Sequence, residues 1–166
     1  MKNFLYALVA CLFFVGCGYQ PIAHQANKAF GGKIFVEVKI SLRDPQNSIT
    51  LKDEISKSIF ERLHARVVDK KEATSIIEVE LQSVSFSSLA ENTTGFATFY
   101  RCEAVVKFKY INQITQSTRI FTKKGYYNFS LGNSSIITDS ARIEAIDEAV
   151  IQALDGFISQ VGIETF

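Results

Sequence analysis

The residues with catalytic potential are few. Glu78 and Glu80 stand two apart, Glu103 is a third carboxylate within an apolar run, and the histidines are His24 and His64 alone. Paired carboxylates can do acid/base work, but Glu78 and Glu80, flanked by Gln82, fit a wet strand face better. With so few histidines, a Ser-His-acid triad has almost no candidates. There is no glycine-rich phosphate loop, no Gly-x-Ser-x-Gly elbow and no His-Glu-x-x-His. Carboxylate-only glycosidases need no histidine, so a hydrolase using Glu78, Glu80 or Glu103 stands as the least favoured option. The three cysteines Cys11, Cys17 and Cys102 have no metal-site spacing and cannot make a disulfide framework. No catalytic residue, metal or cofactor is expected.

A second set of residues suits binding. Lys107, Lys109, Arg119, Lys123 and Lys124 lie with Tyr110, Tyr126 and Tyr127 on two successive strand-like segments. Facing residues of a hairpin lie about 5 Å apart, so cations placed there can converge on one phosphate. An edge strand also carries lysines to discourage aggregation, and the sequence leaves both readings open. The charge balance is 18 Lys+Arg against 17 Asp+Glu, a net +1, which argues against nucleic acid as the partner.

The third feature is Cys17. Met1-Lys2-Asn3 is a short basic opening, and Phe4 to Gly16 follows without a charge. Thirteen residues is too short to span a bilayer, which takes about 20, but it is the length of a signal-peptide core. Phe14-Val15-Gly16-Cys17 resembles a bacterial lipoprotein signal, with Phe14 where leucine is more usual. That resemblance implies cleavage before Cys17, a thioether-linked diacylglycerol on its sulfur and acylation of the new amine. Two or three acyl chains make a stable anchor, at about 0.8 kcal/mol per buried CH₂. Gly18, where an aspartate would signal inner-membrane retention, favours the outer membrane. The expected organisation is a signal peptide over 1–16, a lipidated N-terminus and tether over 17–32, and one domain over 33–166.

The elements that must position these groups follow from periodicity. Lys33 to Ile40 alternates as a half-buried strand, and Asp44-Pro45 breaks it. Thr50 with Asp53 resembles a capping box ahead of a helix running to about His64, with Leu51, Ile55, Ile59 and Leu63 on one stripe. Strands are expected over Ser75 to Phe86, Phe96 to about Ile111 and Arg119 to about Phe129, with a turn at Asn112 to Ser117. In the middle strand Tyr100, Cys102, Ala104, Val106, Phe108 and Tyr110 form the apolar face, and Cys102 reads as a small buried hydrophobe. Ile143 to Val161 keeps helical spacing, with Gly162 as its stop. The order β-α-β-β-β-α defines an α+β two-layer sandwich: a four-stranded mixed sheet with both helices on one face. The first two strands are expected to be parallel through a right-handed crossover, and the last three antiparallel.

Cys17-Gly18-Tyr19-Gln20-Pro21, the Ile/Val strand, the amphipathic helix from Leu51, the Gly95-to-Tyr110 strand and the helix from Ala141 to Gln160 together resemble the lipopolysaccharide-assembly lipoprotein family (LptE). Membership implies a small outer-membrane lipoprotein that plugs the β-barrel translocon (LptD-type), assists its assembly and binds lipopolysaccharide in transit. Hydroxyl and amide residues crowd the turns and the open face, from Ser83, Ser85, Ser87 and Ser88 to Asn112 and Gln113, as suits a polar barrel lumen. The five cations are then physical candidates for the lipopolysaccharide site, since the family supplies no short ligand motif. Two other envelope roles remain open: activating a peptidoglycan synthase, or serving an exporter as an accessory lipoprotein.

Overall fold

A computed structural model describes residues 30, 32–40, 48–63, 66–91, 95, 97–131 and 136–164. Cys17, His24, His64, and most of the tether lie outside the described residues. The elements are β1 (Lys33–Ile40), α1 (Ser48–Leu63), β2 (Arg66–Val67), β3 (Ser75–Glu91), β4 (Ala97–Asn112), β5 (Ser117–Ser130) and α2 (Asp139–Glu164). The sheet runs β2-β1-β3-β4-β5. β1 and β3 are parallel, and β3, β4 and β5 form the antiparallel meander expected from the sequence. The fold is an α+β sandwich with a mixed sheet and two helices.

The sheet has five strands where four were expected. β2 pairs in parallel with Lys33 and Ile34 of β1. Two exposed residues have no period to read, so only the pairing partner reveals them as a strand. Both helices also begin earlier than their periodicity suggests. α1 starts at Ser48, which puts Thr50 inside the first turn instead of at the cap. α2 starts after Thr138, whose Oγ1 accepts a bond from the Ala141 amide at 3.3 Å, an N-cap arrangement. Gly162 does not stop α2, which continues to Glu164 with Gly162 buried in its last turn.

The core lies between the sheet and the helices. Ile77, Val79 and Leu81 of β3, Cys102, Ala104, Val106 and Phe108 of β4, and Ala145, Ala149, Ala153, Leu154 and Phe157 of α2 are buried. Phe157 stacks on Phe108 at 4.6 Å and meets Phe121 edge-on at 5.4 Å. Phe30, which the sequence places near the end of the tether, is fully buried against Tyr110 and Phe157. A lone Phe before a Gly pair carries no periodic sign of this. The α2 backbone comes so close to β5 at Gly125 that a Cβ there would sit 1.8 Å from the Ala149 carbonyl oxygen. Small residues at 145, 149 and 153 of α2, Gly125 of β5 and its register partner Ala104 permit that approach.

β3 is longer than its periodicity suggests and contains a re-phasing. The register shifts between Leu81 and Ser83, leaving Gln82 as the extra residue of a β-bulge. Apolar residues therefore face the helices at odd positions up to Leu81 and at even positions, Val84 and Phe86, beyond it. β1 pairs with β3 no further than Leu81.

Candidate functional site

The strand alternation decides how the five cations are arranged. Register partners share a face, and Lys107, Lys109 and Lys124 project from the face turned away from the helices. Lys123 is paired with Val106 and Arg119 with Tyr110, so both belong to the helix face. The Lys123 stem runs beside α2, its Cδ 3.8 Å from where a Gly156 Cβ would stand. One phosphate cannot meet all five. The same alternation separates Tyr126, on the open face, from Tyr127, on the helix face. Tyr110 is buried, its hydroxyl 3.3 Å from both the Ser75 Oγ and the Asn112 Nδ2, which donates to it.

The three open-face lysines each meet a carboxylate. Lys109 Nζ donates to Glu78 Oε1 at 3.2 Å, Lys107 lies 3.5 Å from Glu80 Oε2, and Lys124 lies 2.7 Å from Glu103 Oε1. Lys39 of β1 adds contacts to Glu37 at 3.6 Å and Glu78 at 3.5 Å. The result is a row of alternating charge across β1, β3, β4 and β5. Partial burial alone would raise the Glu78 pKa, but the hydrogen bond and charge of Lys109, with those of Lys39, hold it below its ordinary value. The hydrogen bond and charge of Glu103 push the Lys124 ammonium above its usual range. Exposed pairs of this kind are screened by solvent and add little to stability, so their main effect is to order the lysines. An anionic ligand on this face must share or displace these carboxylates. Further along, Arg101 Nε donates to Asn128 Oδ1 at 2.9 Å and its guanidinium lies 5.8 Å from the Tyr126 ring centre.

The carboxylates do not converge into an acid/base pair, since each of the three is held by a lysine. Among the described residues no group of three or more His, Cys, Asp or Glu side chains could hold a metal ion. No helix among them is long and apolar enough to cross a membrane. Burial pushes the Cys102 thiol up to about 12, against a smaller opposing pull from Arg142.

A partly covered aromatic shelf on the helix face lies beyond the Gln82 bulge. Phe129 packs against Tyr100 at 6.0 Å, Tyr127 at 6.2 Å and, edge-on, Phe86 at 6.2 Å. Arg142 of α2 stands 5.8 Å over Phe86. α1 packs on β1 and α2, and β1 has ended here, so among the described residues α2 alone roofs this part of the sheet. The switch of apolar parity between Leu81 and Val84 is the sequence signal that marks the shelf.

These features define a class: a small two-layer α+β module whose open sheet face is ordered by cross-strand charge pairs. The family model described as lipopolysaccharide-assembly, LptE, matches residues 35–161, and the chain belongs to that family. No curated protein matches the sequence. Among solved structures, the chain is similar to rare lipoprotein B from Shewanella oneidensis, at 14% identity and TM-score 0.47, over 79% of this chain and 95% of that one. It is similar to a minor lipoprotein from Acinetobacter baumannii at 10% identity and TM-score 0.42, over 81% and 92%. A lipoprotein from Caulobacter crescentus matches at 8% identity and TM-score 0.45, over 86% and 96%.

Proposed function

We propose that the chain is a non-catalytic lipoprotein, anchored to the outer membrane through Cys17, that sits in the lumen of the lipopolysaccharide-translocating β-barrel (LptD-type). There it assists barrel assembly and binds lipopolysaccharide on its way to the cell surface. The observation that carries this reading is the family match, which spans most of the domain from β1 to the end of α2. The open face supports it: hydroxyls at Ser83, Ser85 and Ser87 and compensated charges from Lys39 to Lys124 can exchange water for lumen partners. Uncompensated buried charges would cost several kcal/mol each in the same place.

Lys107, Lys109 and Lys124 are the preferred contacts for the anionic headgroup on this reading, with Arg119 and Lys123 as a separate pair on the other face. The test is affinity isolation of the full-length chain from detergent-extracted envelopes of its own cells, with mass analysis of the mature N-terminus. Expected are a triacylated Cys17 and a large outer-membrane barrel in stoichiometric yield. Recovery of an inner-membrane peptidoglycan synthase or an exporter in its place, or an unmodified Cys17, would overturn the reading.

A further inference from the structure

The distal half of β3 is a sheet edge of unusual composition. Ser83 to Ser88 pairs without interruption with Val105 to Tyr100 of β4, between register shifts at Leu81/Ser83 and Ser88/Ala90. Among the described residues no strand pairs with its other side, because β1 stops opposite Leu81. Six regular residues is the length of an ordinary strand.

The hydrogen-bonding phase of this edge follows from β5. The Tyr126 N–H points off the outer edge of β5, to Gln152 Oε1. Tyr126 opposite Glu103 is thus a non-bonded pair, and Glu103 directs its main-chain groups toward Ser85 of β3. Ser83, Ser85 and Ser87 then bond to β4, and Val84, Phe86 and Ser88 turn their N–H and C=O groups off the free side.

The two long edges of the meander are protected differently. β5 carries Arg119, Lys123 and Lys124, and α2 seats Gln152 on its edge amide. Ser83 to Ala90 contains no charge and no proline. Natural sheets blunt exposed edges with lysines, prolines or a covering element, and an edge without them is a template for pairing. The bulge at Gln82 has a second effect in this light. It returns Val84 and Phe86 to the helix face, where both are half-buried beside the shelf of Tyr100, Tyr127 and Phe129.

We propose that the Ser83–Ser88 edge of β3 accepts an extended strand from a partner polypeptide. That strand is uncharged and alternating, with apolar side chains beside Val84 and Phe86 and hydroxyl or amide side chains beside Ser83, Ser85 and Ser87. Apolar side chains on one face of such a strand would extend the half-buried surface of Val84 and Phe86, and hydroxyls or amides on its other face would lie beside the exposed Ser83, Ser85 and Ser87, an edge that itself offers no charge to pair with. A second copy of the chain fits less well, because six paired residues fall short of the roughly 800 Å² per partner of a stable interface. The strand must therefore be delivered by a body held through other contacts. The inference deepens the proposed function, resting on the reading that the chain works inside an assembly.

The test uses the full-length lipidated chain in its native envelope, with a benzoylphenylalanine photocrosslinker at Ser87, and a Ser88→Pro variant isolated in parallel. Proline at Ser88 removes an outward N–H and leaves the β4 ladder intact, and Thr122→Pro makes the matching change at the outer edge of β5. Expected are crosslinks confined to one uncharged, alternating segment of the co-isolated barrel, and about a tenfold loss of barrel from Ser88→Pro but not from Thr122→Pro. Equal barrel recovery by a folded Ser88→Pro chain would overturn the inference, as would crosslinks to a second copy or to charged loops. If the wild-type chain retains no barrel, the proposed function fails first. Amide exchange at Val84, Phe86 and Ser88 in intact envelopes then decides the edge separately: protection relative to the purified chain, with crosslinks in an uncharged alternating segment, sustains it, and unprotected amides overturn it.

Discussion

Cys102 and Asp147 show how burial sets chemistry one residue at a time. The Cys102 side chain is fully buried and its pKa is pushed up to about 12, so the thiolate is scarce at any physiological pH. With Cys11 removed and Cys17 acylated in the proposed mature form, Cys102 is its one free thiol. A disulfide reagent at pH 8 is expected to label the native protein negligibly and to label one thiol per chain in denaturant. Asp147 lies between the helices, where the Ser58 hydroxyl donates to its Oδ2 at 2.8 Å and its Oδ1 is buried without a partner. Burial raises its pKa, the Ser58 bond opposes the rise, and Glu148, Glu54 and Glu61 add to it. A carboxyl whose folded pKa exceeds its unfolded value costs stability above the folded pKa, and the cost vanishes as pH falls below the unfolded one. Asp147→Asn is therefore expected to raise Tm at pH 7 and to lose that advantage near pH 3. Glu78 has the opposite sign. Its pKa is lowered, so its contribution is present above the ordinary carboxylate value and is lost as pH falls through the folded one. Thermal melts of Glu78→Gln against pH separate the two effects.

At the scale of elements, two glycines in contact with α2 play opposite parts. Gly125 on β5 faces the α2 backbone, and an added Cβ would stand 1.8 Å from the Ala149 oxygen and 2.8 Å from the Ala153 nitrogen. The obstruction is main chain and cannot rotate away, so Gly125→Ala must lever the helix off the sheet. A loss of about 1–3 kcal/mol or more in chemical denaturation is expected. Gly156 on α2 meets only the flexible Lys123 stem at 3.8 Å, an ordinary contact. Gly156→Ala is expected to gain about 0.5–1 kcal/mol by removing a helical glycine. Equal effects from the two would mean that close approach at β5 does not hold α2. The elements themselves were mostly legible in the sequence, because alternation in β1 and β4 and the apolar stripe of α2 each persist over enough residues to be counted. β2 was not legible, since two exposed residues gain strand character only from their neighbour. Nor were the part of β3 beyond Phe86 and the change of face within the strand, where one extra residue at Gln82 reverses the parity of the pattern.

For the molecule as a whole, the question is which surface meets lipopolysaccharide. The two faces hold different cations, and this makes the sites separable. Charge reversal at Lys107, Lys109 and Lys124 together is expected to weaken binding of purified lipopolysaccharide at least tenfold, as read by titration calorimetry. Reversal of Arg119 and Lys123 tests the other face in the same assay. If the open-face triple variant stays folded and binds as the wild type does, these lysines serve to order the sheet and hold no ligand.

Local spacing was enough to read a helix stripe, an alternating strand, the apolar run before Cys17 and the order of the four long strands and two helices, because those signals are carried by residues close along the chain. It also identified the cations and tyrosines as a group. Which of them share a face depends on pairing register and on one inserted residue in β3. Those are set by contacts between segments distant in sequence, and they appear only when the strands are side by side. The burial of Phe30, the uncharged edge at Ser83–Ser88 and the division of the five cations into three and two were decided there.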